Sequence, residues 1–377
     1  MQTILYIFPE LFLSFSIMAI LMIGVFVKKS FKLVNLLTIA TLIFTTALVL
    51  NQNDEKIKIF NDSYIIDSFS ILMKTITLLF CILFLFSSKE YVKINNIDKI
   101  EYPIIILTSV LGMILMISSY DLIVFYLGLE LQSLSLYILA SFKRENEKST
   151  EAGLKYFVLS ALATGLLLYG SSLIYGFTGS TNFEIISTSL IEANTGAVFG
   201  IVFIMVGLAF KVSAVPFHMW VPDVYDGSAT STTLYLSAVP KLAAFAILLR
   251  LLSTGLEGWI EIWQDMLLVA ALLSIALGNI VAIAQSSIKR MLAYSTISNM
   301  GFLLLGFFAG THAGYSAAMV YAVIYMVATV AAFGVILALS RSGFESDRLD
   351  DFRGLNRRNP WLALLMLIVM FSLAGIP

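Results

Sequence analysis

One cysteine, Cys81, and two histidines, His218 and His312, are all that 377 residues provide of thiolate and imidazole ligands. That is too few for the sets that hold iron–sulfur clusters or most zinc sites, so the chain is expected to bind no metal and to carry no redox centre. Charge is scarce as well. Asp, Glu, Lys and Arg make up 12% of the residues, against about 25% in an ordinary soluble domain. A net charge of −1 gives no electrostatic footprint for nucleic acid, and no loop resembles a phosphate-cradling glycine loop. A cleavable leader is not expected either, because the first apolar run is long and continues straight into Lys28 and Lys29 instead of small residues.

What fills the chain is apolar: 59% of it is hydrophobic. Runs near or above the roughly 20 residues that span a bilayer as helix occur at 4–27, 33–50, 69–88, 103–119, 121–141, 152–177, 195–217, 229–253, 264–284, 291–310 and 314–340, and another begins at 361. The reading is an all-α polytopic membrane protein with eleven complete spans and part of a twelfth. Alternation through the bilayer sorts the loops into two sets. Of the 23 Lys and Arg residues, five lie inside runs, Lys56 and Lys58 fall in one loop set, and the other sixteen fall in the opposite set. A single miscounted span would mix the sets, so the bias assigns the basic face to the cytoplasm or matrix and the N-terminus to the other side.

The five basic residues inside runs are Lys74, Lys155, Lys211, Lys241 and Arg250, and Glu130 is the acid read as deep in a run. Each costs about 3 kcal/mol at a helix centre. Arg250 is expected to snorkel to the headgroups, and Lys74, a few residues into its run, to sit near an interface. The position of Lys155, beside Glu151, leaves snorkelling and function open. Lys211, Lys241 and Glu130 have long apolar stretches on both sides and reach no interface. They are either buried ion pairs tying helices together or a proton path. Desolvation and neighbouring charge can bring a lysine into the neutral pH range, whereas arginine stays charged. Pro216 follows Lys211 and Pro240 directly precedes Lys241, so both lysines are expected beside breaks in the backbone ladder, where transporters hold water or ions.

The stretches GLAFKVSAVPFHMWVPDVYDGSAT, SAVPKLAAF, GLELQSLSLYILASF, EAGLKYFVLSALATGLLLYG and SSIKRMLAYSTISNMGF resemble the antiporter-like membrane subunits of respiratory complex I, in the N type above all, in register from about the fourth span onward. The resemblance implies fourteen helices with two inverted five-helix repeats and broken transmembrane helices. It divides this chain into an N-terminal three-helix segment (1–102), a first repeat (103–253) and an incomplete second repeat (264–377). It also implies a charged axis for proton translocation at Glu130, Lys155, Lys211 and Lys241. Where the L and M types carry a histidine on the eighth helix, this chain has Tyr235, Leu236 and Ser237, and Ala229 stands where proline is usual. The family continues past the position of Pro377, so the chain is expected to lack its last helices.

On the same resemblance, the chain couples NADH:quinone electron transfer to proton pumping as a non-redox subunit. NADH, FMN, iron–sulfur clusters and quinone are handled by other subunits, and the neighbours are the M and K subunits and lipid. The location is a bacterial inner membrane, with the mitochondrial inner membrane as the alternative. Two other functions fit the same residues: a subunit of a cation/proton antiporter or membrane-bound hydrogenase, and a structural subunit with static ion pairs.

Overall fold

The computed structural model describes residues 2–376 apart from 28–29, 54, 190–193 and 342–343. Every apolar run forms a helix. In chain order these are α1 (Phe8–Phe26), α2 (Phe31–Leu50), α3 (Ser68–Ile94), α4 (Glu101–Ile117), α5 (Leu122–Ala140), α6 (Glu147–Thr178), α7 (Thr195–Val212), α8 (Thr230–Arg250), α9 (Ile260–Ile283), α10 (Ile288–Phe308), α11 (His312–Leu339) and α12 (Pro360–Leu373). Ten have the length and apolarity to cross a membrane by themselves; α4 and α12 are shorter. The basic loop residues Lys28 and Lys29, and Pro377, lie outside the described residues.

Local chemistry sets several helix starts. The Asp67 side chain accepts from the backbone N–H of Ser70, and Ser70 returns a bond to the backbone of Asp67, closing a capping box on α3. Asp121 caps α5, Asn146 caps α6 and Thr311 caps α11, each by a side chain that accepts a first-turn backbone N–H. A short antiparallel hairpin, β1 (Ile57–Ile59) with β2 (Tyr64–Ile66), pairs Ile57 with Ile66 and Ile59 with Tyr64 and folds over one end of the bundle.

Helices adjacent in sequence pack in pairs: α4 with α5, α6 with α7, α9 with α10. The α4–α5 contact is backbone against backbone. A Cβ on Gly112 would stand 2.5 Å from Gln132 N, and one on Gly128 would stand 2.9 Å from Gly112 O. Only glycine allows that approach, and it fixes α5, which carries Glu130. α8 is the hub, enclosed by α3, α4, α5, α7, α10 and α11, so its charged residues cannot reach lipid.

The two loop sets emerge on opposite faces. On the basic face Lys143 meets Glu345 at 2.6 Å and Arg290 meets Asp223 at 3.1 Å. On the other, Lys58 pairs with Glu184, and Arg250 with Asp67. The alternation inferred from counting Lys and Arg is therefore the alternation of the fold.

Candidate functional site: a lysine pair at a broken helix

α7 ends at Val212. Ser213 takes a left-handed conformation with φ of 67°, the chain runs non-helically to Met219, and a short helix follows at Trp220–Gly227. A non-glycine residue in that region is uncommon and needs surrounding support. The support is visible: the Trp220 indole donates to Phe210 O at 3.1 Å, and Val215 N–H donates to the Ser274 hydroxyl of α9 at 2.9 Å. Groups freed by the break are thus met by protein.

Lys211 sits in the last turn of α7, 8% exposed. Its ammonium donates to the hydroxyls of Ser133 on α5 at 2.6 Å and Ser160 on α6 at 2.8 Å, and Tyr137 donates to Ser160 at 2.5 Å. Lys241, on α8 and 5% exposed, donates to the Ser213 hydroxyl at 2.5 Å and lies over the Trp220 ring, 5.5 Å from its centroid. The two lysines therefore meet across the break: one is two residues before Ser213, the other is bound to it. Glu130, one turn before Ser133, is near enough to act on Lys211 through space, but no ion pair within 4 Å joins them among the described residues. Its Oε1 is buried without a partner.

Lys155 stands apart. It is partly exposed on the basic face, paired with Glu151 at 2.7 Å and Asp223 at 2.8 Å. There it lines a polar cavity of about 270 Å3 with Lys148, Asp226 and Arg290. The structure places Lys211 and Lys241 at the break, Glu130 one turn from the Lys211 partner Ser133, and Lys155 at the rim. Among the described residues no group of three or more His, Cys, Asp or Glu side chains converges.

Three expectations from the sequence are corrected. Pro240 does not break α8, which runs as one helix from Thr230 to Arg250. A proline removes its own N–H bond and crowds the carbonyl four residues back, and packing against six other helices holds α8 together despite both. Arg250 does not snorkel. It is 6% exposed and makes a two-pronged bond to Asp67, 2.9 Å at each oxygen. Lys74 does not reach lipid or solvent. It is 0% exposed, and its ammonium bonds Glu10 at 2.7 Å and the Tyr64 hydroxyl at 2.9 Å. Glu10 is accordingly a second acid buried inside a run. Each partner comes from a different helix or from the hairpin, so sequence distance concealed the pairing. The site serines were also missed, although Ser133 lies one turn from Glu130 and Ser213 two residues from Lys211.

The fold, a bundle of membrane-length helices with one helix interrupted after Val212, is that of the antiporter-like class of membrane subunit. A family model described as "NADH:quinone oxidoreductase/Mrp antiporter, TM" matches residues 119–377, and the chain belongs to that family. NADH-quinone oxidoreductase subunit N of Pelagibacter ubique is 49% identical over 378 residues, covering 100% of this chain and 80% of that protein. Subunit N of Thioalkalivibrio sulfidiphilus is 49% identical over 379 residues, covering 98% and 78%. A chain of respiratory complex I from Thermus thermophilus superposes with a TM-score of 0.83 at 31% identity, covering 98% of this chain and 79% of that one. The chain is thus an antiporter-like, multi-pass protein of the bacterial inner membrane.

Proposed function

We propose that the chain is the N-type subunit of an NADH:quinone oxidoreductase, assembled beside other membrane subunits including the M and K types, and that it translocates protons while other subunits carry NADH, FMN, iron–sulfur clusters and quinone. The observation that carries this is the Lys211–Ser133–Ser160 and Lys241–Ser213 geometry. Two buried ammoniums rest on hydroxyls, and among the described residues no carboxylate lies within ion-pair distance of either. A static tether would pair each with a carboxylate. Hydroxyls accept and donate, so they can take the proton that an ammonium gives up. Glu130, one turn before Ser133, biases the charge on Lys211, Lys241 takes the proton across the break, and Lys155 with Asp223 gathers protons at the basic face. In this reading the first repeat (103–253) holds the site and the second (264–377) completes the path.

Lys211→Ala in the assembled complex is expected to lower quinone reduction and proton pumping together with subunit content unchanged. Lys211→Arg is expected to fail equally, because guanidinium does not give up its proton near neutral pH. Near-normal pumping by either variant, measured by dye quenching in proteoliposomes, defeats the assignment.

A further inference from the structure

One buried face of α3 carries polar or thiol side chains along most of its length, interrupted by Phe84 and Leu85 between Cys81 and Ser88. Lys74, Thr77, Cys81, Ser88 and Tyr91 recur at helical spacing, and none is more than 3% exposed. Seventeen residues of helix span about 25 Å, most of the roughly 30 Å of a bilayer's hydrocarbon core. No part of the lysine site uses this face.

Polar groups of α4 and α8 oppose it along its length. At mid-membrane the Tyr235 hydroxyl of α8 lies against Cys81 and hydrogen-bonds Ser109 of α4. Nearer the basic face the Tyr102 hydroxyl meets Ser231 at 3.0 Å. At the basic face Tyr91 donates to Glu345 at 2.5 Å, Thr230 donates its backbone N–H to Tyr91 at 3.1 Å, and Lys143 closes the cluster on Glu345. At the opposite face the row ends on Lys74, Glu10 and Tyr64, where Tyr64 also donates to Glu10 Oε1 at 2.6 Å. Both donors crowd that one oxygen, and Glu10 Oε2 is buried without a partner. Just beyond lie Asp67 and Arg250, which line an open polar cavity of about 400 Å3 with Lys56, Tyr120, Ser253 and Thr254.

We propose that this α3–α4–α8 seam is a hydrated proton route separate from the lysine site, running between Glu345 on the basic face and Glu10 on the other. An apolar seam would be the cheaper packing solution in a membrane protein, and a polar residue at every turn or two of one buried face needs a use. Each hydroxyl passes a proton by breaking its own O–H bond as it accepts another, leaving it unchanged. At the far end Glu10 Oε2 takes the proton, the carboxylate becomes a neutral acid, and Lys74 remains an ammonium. Loss of that proton to water in the Asp67–Arg250 cavity restores the ion pair.

The proposal rests on a proton-translocating role for the chain, and its test is separable from that role. In the native assembled complex Cys81 is expected to react with methyl methanethiosulfonate, followed at its own peptide by mass spectrometry, because thiolate chemistry needs water. Tyr235→Phe, which keeps the ring packing and removes the hydroxyl, is expected to lower protons moved per NADH oxidised at unchanged quinone reduction rate. Ser109→Ala is the second variant should the first fail to assemble. Cys81 that labels only after unfolding, or an unchanged proton yield in the assembled variants, overturns the seam. Failure of the lysine site would leave Cys81 labelling as it is.

Discussion

Arg250 and Asp67 show how a charge far from the lysine site governs stability. The guanidinium is 5% exposed at its side chain and the carboxylate 21%, and the fork geometry gives two parallel charge-assisted bonds. Burial opposes the charged form of Asp67, but the Arg250 bond and the Ser70 cap outweigh it and hold the carboxyl below the usual range. Removing one partner strands the other charge, and that is where the loss arises. Asp67→Ala is expected to cost about 2 kcal/mol or more, read as a lower unfolding temperature in detergent. The Arg250→Met, Asp67→Leu double variant is expected to recover much of it. A snorkelling Arg250 would make Arg250→Met silent, leaving Asp67→Ala with only the loss of its cap on α3.

Among the elements, the α4–α5 pair carries the tightest requirement. Gly128 lies with its Cβ position 2.9 Å from both Gly112 O and Met116 N, and α5 delivers Glu130 and Ser133 to the lysine pair. Gly128→Val has to part the two helices, a strain of about 1–3 kcal/mol for overpacking. It should also lengthen the Ser133 contact to Lys211, so pumping is expected to fall more than assembly; normal pumping alongside a lowered unfolding temperature would separate packing from function. α8 makes the complementary point. Its unbroken passage through Pro240 means that Pro240→Ala should leave proton pumping intact, whereas shortening the break after α7 should not.

For the whole molecule, the basic face is a clamp. Glu345, in the segment after α11, accepts from Tyr91 of α3, Thr230 of α8 and Lys143 after α5, so one carboxylate joins distant parts of the chain. Burial raises its proton affinity, yet the Lys143 and Tyr91 bonds and the nearby ammoniums hold the carboxyl below the ordinary range. A depressed carboxyl contributes stability that is complete above its unfolded value, about 4.3, and that is lost as pH falls through the lower folded value. The unfolding temperature of the wild-type complex is therefore expected to drop below about pH 4, and Glu345→Gln is expected to flatten that part of the profile. An identical acid limb in the variant would show that the clamp contributes nothing.

Apolar run length, loop charge and capping residues determined the helices and their alternation, because crossing a bilayer is decided by each segment against lipid and by the Lys and Arg that flank it. The depth of Lys211 and Lys241 followed from the same local count. Pairing did not. Glu10 lies 64 positions from Lys74 and Asp67 lies 183 from Arg250, and nothing in a linear pattern says which buried acid meets which base. Whether Pro240 breaks its helix was likewise beyond the sequence, since Pro216 and Pro240 read alike. The difference comes from neighbours: α8 is enclosed on all sides and keeps its ladder, while the break after α7 is held by Trp220 and Ser274. The hydroxyls that receive the lysines were in plain sight as serines, but only packing of α5, α6 and α7 within hydrogen-bond reach gave them their role.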